Sequence, residues 1–216
     1  GIAFYTNSVS VNGNTNVSRK AEYYQSLVTA NNSTGAVWLG ITVISTNVSI
    51  SGNVFVPQTP ETFGYDADGN MTNDGRWVLT WDAENRLTKA ESLSSAPAAS
   101  KRKVEWAYDY RGRRIRQTTH DLSSGDVVTE DLKMIYDGWR CVAELNATNN
   151  ALVRSYTWGL DLSGTLDGAG GVGGLLMLNS VANGAHFYAY DGNGNVAGLV
   201  SAADGSVSGR YDYKWA

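Results

Sequence analysis

The chain has one cysteine and three prolines among 216 residues. A lone thiol, Cys141, excludes an internal disulfide and any metal site built from several thiolates. It sits in Trp139-Arg140-Cys141-Val142-Ala143-Glu144-Leu145, where alternation predicts a strand and a small core residue rather than a nucleophile. No apolar run approaches the roughly 18 residues of a membrane-spanning helix, and residue 1 does not open a charged-then-apolar leader. Charged residues are only 18%, below the roughly 25% usual in soluble domains. Net charge is −4, so the bulk composition lacks the electrostatic footprint of a nucleic-acid binder, and no nucleic-acid partner is expected. Histidine is scarce too, with His120 and His186 the only two. No G-x-S-x-G or H-E-x-x-H frames either one. Both are expected to be structural, no catalytic residue is assigned, and the chain is expected not to be an enzyme.

What the chain has instead is glycine, at 24 residues, and aromatics at 11%, with seven Trp and twelve Tyr. Tyr65-Asp66-Ala67-Asp68-Gly69-Asn70-Met71-Thr72 aligns with Trp81-Asp82-Ala83-Glu84-Asn85-Arg86-Leu87-Thr88, sixteen residues on. Each copy is an aromatic residue, an aspartate, a polar turn and an apolar residue before Thr. Between them Arg76-Trp77-Val78-Leu79-Thr80 has the bulky and β-branched residues of a strand. The phrase returns at Tyr108-Asp109, Tyr136-Asp137, Tyr190-Asp191 and Tyr211-Asp212, with Tyr156-Thr157-Trp158-Gly159 as a degenerate member. Such repetition predicts an array of hairpins. Aspartate accepts backbone N–H groups two residues on and so builds a turn. Gly69, Gly112 and Gly194 can take the left-handed angles that turn demands. The aromatic before the turn brings apolar area with a polar tip. Tyr65, Asp66, Trp81, Asp82, Tyr108, Asp109, Tyr136, Asp137, Tyr190, Asp191, Tyr211 and Asp212 are therefore expected to be structural residues of a repeat, with the three glycines.

Residues 1–60 are polar and rich in Asn, Ser, Thr and Val, with Ser8-Val9-Ser10-Val11, Val37 to Ile44 and Val48-Ser49-Ile50-Ser51 reading as strands. Asn12-Gly13 is a hairpin-turn signal, and Glu91 to Ser100 reads as a surface loop. The expected division is 1–60, diverged β repeats, and 61–216, the repeated strip, as one continuous architecture. About fourteen to eighteen strands are expected, and open sheets of that size curl. The fold class is all-β, a long curled antiparallel strip. Gly174 to Val181 is the best helix candidate and is too short to read as more than a turn or strand.

The remaining motifs are weak. Gly168-Ala169-Gly170-Gly171-Val172-Gly173 fits G-x-G-x-x-G but lacks the parallel strand–turn–helix context of a dinucleotide site, so no cofactor is expected. Asp66-x-Asp68-x-Asn70 and Asp191-x-Asn193-x-Asn195 imitate half a calcium loop without its later ligands, so no metal is expected. Arg111-Gly112-Arg113-Arg114-Ile115-Arg116 reads as the solvated face of a strand rather than a phosphate clamp.

The returning Tyr-Asp-x-x-Gly-Asn/Arg-x phrase resembles the YD repeat of the RHS-repeat family, which includes bacterial polymorphic toxins, the C components of ABC toxins and teneurins. Tyr156 to Gly164, followed by Gly168 to Leu176, is similar to the segment leading into the RHS-associated core, and Tyr190 to Val196 to that core's opening repeat. The resemblance implies a β-strip wound into a shell that encloses or presents a secreted toxin or effector. It implies as partners the remainder of that shell or further copies of the chain, with a toxin cargo, and a secreted or cell-surface bacterial location. None of Pro57, Pro60 and Pro97 follows an aspartate, so the family's Asp-Pro self-cleavage segment is not matched. The expected function is a non-enzymatic section of that shell. The alternative is a carbohydrate- or cell-surface-binding module that uses exposed Trp and Tyr.

Overall fold

A computed structural model describes residues 8–20, 23–46, 48–211 and 213. The described residues form eighteen strands and one short 3-10 turn, Ala98–Ser100. The first five are β1 (Val9–Val11), β2 (Ser18–Lys20), β3 (Tyr23–Gln25), β4 (Val37–Ser45) and β5 (Val48–Val56). They make a three-stranded sheet in the order β1-β4-β5 and a separate β2-β3 pair. At the predicted hairpin signal, Asn12 and Gly13 have φ of 49° and 78°. Positive angles at both central residues are what a tight hairpin with the right-handed twist of its strands requires. The Asn12 side chain also accepts from the Thr42 N–H at 2.7 Å, which ties the turn to β4.

The other thirteen strands make one antiparallel sheet whose spatial order follows the chain. They are β6 (Gly64–Tyr65), β7 (Met71–Asn73), β8 (Trp77–Trp81), β9 (Leu87–Ser92), β10 (Arg102–Tyr108), β11 (Arg114–Asp121) and β12 (Val127–Asp137). Then come β13 (Arg140–Asn146), β14 (Leu152–Trp158), β15 (Leu175–Ser180), β16 (Gly184–Tyr190), β17 (Val196–Ser201) and β18 (Val207–Arg210). β6 and β18 are the end strands of that order, and the sheet is not closed. The all-β antiparallel reading is thus what the structure shows. The segment offered as a helix candidate is β15. The chain divides into two compact units, residues 1–104 with 120–127, and residues 105–119 with 128–216. Among the described residues, no helix is long and apolar enough to cross a membrane.

Very few of the described residues are fully buried. Val9, Ala96 and Leu132 are the only buried apolar side chains among the described residues, Leu132 at 3% exposure. Stability therefore rests on half-buried faces and ladder hydrogen bonds rather than on a thick core. In the first unit, Trp38 and Phe55 face each other across β4 and β5 at 5.2 Å. The Arg76 guanidinium lies 5.4 Å from the Trp38 ring and 5.5 Å from the Trp77 ring, a geometry in which a cation meets the negative face of each ring. In the second unit, Glu144 accepts from the Tyr156 hydroxyl at 2.8 Å and pairs with Arg154 at 3.1 Å. Arg154 reaches Glu130 at 2.8 Å with its other edge. Burial first, and the Glu144 carboxylate second, push the Tyr156 phenol well above its usual range.

One device recurs along the sheet. An aromatic at or near the end of a strand sends its polar tip to a carbonyl within the first two residues of an earlier strand. Trp81 donates to the Met71 carbonyl at 2.7 Å, Tyr136 to Arg114 at 2.7 Å and Trp158 to Cys141 at 2.8 Å. Tyr190 donates to Leu175 at 2.5 Å, and Tyr213 to Val196 at 3.1 Å. The strand register slips by one residue at Tyr65, Trp81, Tyr136, Trp158 and Tyr190. Such bulges re-aim a side chain, here toward the neighbouring strand's end.

Candidate functional site

Four of the repeated aspartates build the same turn. Asp66 Oδ1 accepts from the N–H of Asp68 at 3.0 Å and of Asn70 at 2.9 Å, and Oδ2 accepts from the Asn70 amide at 3.1 Å. Asp82 takes Glu84, Arg86 and the Arg86 Nε in the same places at 2.9, 3.0 and 2.8 Å. Asp109 takes Arg111, Arg113 and the Arg113 Nε at 2.9, 3.0 and 2.7 Å. Asp191 takes Asn193, Asn195 and the Asn195 amide, each at 2.9 Å. The fourth turn residue is Gly69, Asn85, Gly112 or Gly194, with φ between 59° and 86°. These carboxylate oxygens are filled by N–H donors, the opposite polarity from a cation site. The Asn70 side chain, the Arg86 backbone and the Asn195 side chain lead the interactions that lower the Asp66, Asp82 and Asp191 carboxyls, respectively. At Asp109 burial works the other way, and the side-chain and backbone donors of Arg113 outweigh it.

Asp137 departs from the pattern. It pairs with Arg140 across a two-residue hairpin, Gly138-Trp139, between β12 and β13. Gly138 takes φ 59°, as the first central residue of such a tight turn must. Asp212 lies outside the described residues. Tyr65 is exposed, whereas Trp81, Tyr108, Tyr136 and Tyr190 are half-buried. Sequence reading missed Asp161, which is 6% exposed. Its carboxylate gathers the glycine-rich loop by accepting from Ser163 Oγ at 2.5 Å and from the N–H of Ser163, Ala169 and Gly171 at 2.9, 2.7 and 3.2 Å. The Ser163 hydroxyl is the leading cause that takes its carboxyl down to about 2. The signal was the Asp-x-x-Gly spacing of Asp161 and Gly164, hidden because no aromatic directly precedes the aspartate.

The arginine run occupies the Asp109 turn and the start of β11. Arg113 holds Asp109 at 2.7 Å, and Arg116 holds Asp131 at 2.6 Å. Arg114 lies 4.8 Å from the Trp106 ring, and Arg111 lies 5.5 Å from the Tyr110 ring. Arg113 also donates to the Gly138 carbonyl and lies 5.0 Å from the Tyr136 ring. That places the Asp109 turn beside the Gly138-Trp139 hairpin. Four guanidiniums thus gather beside the paired Asp109 and Asp131 and the exposed Asp137 of the adjoining hairpin, in a chain that is negative overall.

Two further groups carry titratable chemistry. In the first unit, Asp126 meets His120 Nδ1 at 2.5 Å and Lys103 at 2.6 Å. His120 is 7% exposed, so its ring is shielded from bulk solvent. In the second unit, a concavity of about 670 Å³ is lined by residues that include Glu130, Arg154, Ser180 and His186. Val153, Leu178 and Leu199 give the same concavity an apolar wall. Cys141 is half-buried, and its thiol is pushed up by burial and by Glu144. Among the described residues, no three His, Cys, Asp or Glu side chains cluster to hold a metal ion.

No protein-family model matches the chain. It is 31% identical over 156 residues to the tRNA3(Ser)-specific nuclease WapA of Bacillus spizizenii, a match that covers 71% of this chain and 6% of that protein. The tRNA nuclease WapA of Bacillus subtilis strain 168 and the tRNA(Glu)-specific nuclease WapA of Bacillus subtilis subsp. natto are each 31% identical over 155 residues, with the same coverage. The chain thus spans 6% of the length of the curated relatives it matches.

These names correct four expectations. The RHS-repeat assignment drawn from the Tyr-Asp phrases is replaced by likeness to proteins named tRNA nucleases. A non-enzymatic shell section, with its glycan-binding alternative, does not fit relatives that are named enzymes. The non-enzyme expectation falls for the same reason. The expectation of no nucleic-acid partner falls as well, because every one of these relatives is named for tRNA. The physical reason lies in averaging: the net charge of a whole chain hides a local arginine cluster, and turn chemistry does not report what a longer protein acts on.

Proposed function

We propose that this chain is a segment of a bacterial nuclease toxin directed at tRNA. The observation that carries the reading is its 31% identity, over 71% of its length, to three proteins named as tRNA nucleases. Two of those names specify different tRNAs, yet the chain matches both to the same extent. The matched segment therefore belongs to what such nucleases share, not to what tells one tRNA from another. A nuclease that destroys tRNA endangers the cell that makes it, so a secreted or cell-surface location is part of the proposal. The arginine run of the second unit supports RNA contact, since guanidiniums bind phosphates through charge and fixed geometry.

The test is to incubate the purified chain with total bacterial tRNA, reading cleavage on a denaturing gel and binding by mobility shift. Binding or cleavage that weakens as salt rises is the expected result. A tRNA pool left both unbound and uncut would sink the reading.

A further inference from the structure

The two neighbouring turns of the second unit carry aromatic rings that the fold does not use. Tyr110 is 85% exposed and Trp139 is 69% exposed. The position after the turn aspartate is Ala67, Ala83 and Gly192 in the other turns of the same geometry, so the turn itself asks for no ring at Tyr110. Gly138 alone supplies the positive φ of the β12–β13 hairpin, so nothing there calls for a tryptophan either. A single exposed aromatic is ordinary. Two on adjacent turns, one of them with a guanidinium against its ring, form a surface with a chemical preference.

Adjacency is set by Arg113. Its Nε and Nη2 hold Asp109, each at 2.7 Å, while its Nη1 donates to the Gly138 carbonyl, so both turns are tied to one rigid group. Arg111 is parked on Tyr110, with its Nε 3.0 Å from the phenol oxygen. Among the described residues it has no carboxylate partner, unlike the other arginines of the two turns. Arg113 pairs with Asp109 and Arg140 with Asp167. The surface therefore offers two faces for flat rings and one guanidinium free to meet a phosphate, with the Asp137 carboxylate at the base of the neighbouring hairpin. That matches the chemistry of an unpaired nucleotide: a base stacks on an aromatic face, and a phosphate meets the cation at its edge.

We infer that Tyr110 and Trp139 form a stacking platform for single-stranded RNA, with Arg111 as its phosphate contact. The choice of RNA rests on the proposed tRNA-directed reading, and within a tRNA it selects the unpaired loops and the 3′ end. Duplex RNA presents its bases already stacked and offers the platform nothing. With one phosphate contact, the logarithm of affinity falls with the logarithm of salt at a slope of about −0.7, so stacking carries most of the binding.

The experiment is fluorescence anisotropy of labelled octauridylate, a duplex of the same length and intact tRNA, each titrated with the full chain. Tyr110→Ala and Trp139→Ala are each expected to weaken octauridylate binding by about ten- to a hundredfold. Tyr110→Phe, which keeps the ring, is expected to bind like the parent. Arg111→Gln is expected to flatten the salt dependence. Unchanged binding in the Tyr110→Ala/Trp139→Ala double variant would overturn the inference, as would a duplex bound as well as the single strand. Quenching of tryptophan fluorescence by a neutral oligosaccharide, with none by the oligonucleotide, would overturn it too. If tRNA is bound or cut while octauridylate is ignored, the platform fails and the tRNA reading stands. If octauridylate binds through these rings while tRNA is neither bound nor cut, the platform stands and the tRNA reading fails.

Discussion

The hydroxyl of Tyr190 lies 2.5 Å from the carbonyl oxygen of Leu175, the first residue of β15. A similar bond joins Tyr136 to Arg114, the first residue of β11, and Trp158 to Cys141, the second residue of β13. Each aromatic is half-buried along its body and hydrogen-bonded at its tip, so it couples turn to turn along the second unit.

Removing only the tip should measure that coupling. Tyr190→Phe and Tyr136→Phe keep the ring and lose one hydrogen bond to a backbone carbonyl. Each should lower the unfolding free energy by about 1 kcal/mol, read by urea denaturation. A midpoint unchanged in both variants would mean that the hydroxyls are incidental.

The turn aspartates are expected to matter more than exposed carboxylates usually do. Asp66 and Asp109 each hold two backbone N–H groups and a side-chain donor in place. The Asp66→Ala/Asp109→Ala double variant should melt several degrees below the parent. Replacing the exposed Glu61, which forms no ion pair among the described residues, should not shift the midpoint. Calorimetry on the three proteins decides it.

Gly194 is a stricter position than its sister glycines. A Cβ there would stand 2.8 Å from both Leu162 Cδ1 and Val172 Cγ1, at φ +79°. Gly194→Ala should therefore cost more than the roughly 1–2 kcal/mol of left-handed strain alone. At Gly112 a Cβ meets nothing within 4 Å, and Gly112→Ala should cost only the strain. Equal losses at the two sites, in paired denaturant titrations, would argue against the crowding.

The pH profile follows from the aspartates. Asp66, Asp82, Asp109, Asp161 and Asp191 all have folded-state carboxyls below the ordinary 3.8. A depressed folded value means that the stabilisation is complete above the unfolded value and is lost as pH falls through the folded one. The melting temperature should be flat with respect to these groups above about pH 5 and fall below about pH 4. Asp161, at about 2, should be the last to let go. Asp161→Asn should remove the part of the decline that lies nearest pH 2, measured by melting curves from pH 2 to pH 7.

The sequence by itself determined the local chemistry. An aspartate, a residue of left-handed tolerance three places on and a donor four places on close a turn within five residues. Backbone angles over so short a span depend on the residues present, which is why the all-β class and the turns at Asp66, Asp82, Asp109 and Asp191 were legible. Asp137 shares the aromatic-aspartate phrase yet forms a two-residue hairpin, because Gly138 takes the positive angle at once and β13 resumes at Arg140. Only the tertiary structure decided which carbonyl each aromatic reaches, since those partners lie 10 to 22 residues back and depend on strand register. It also decided that Arg113 would bind two turns together and leave Tyr110 and Trp139 facing water. That outcome depends on which side chains are brought together, and no pattern along the chain encodes it.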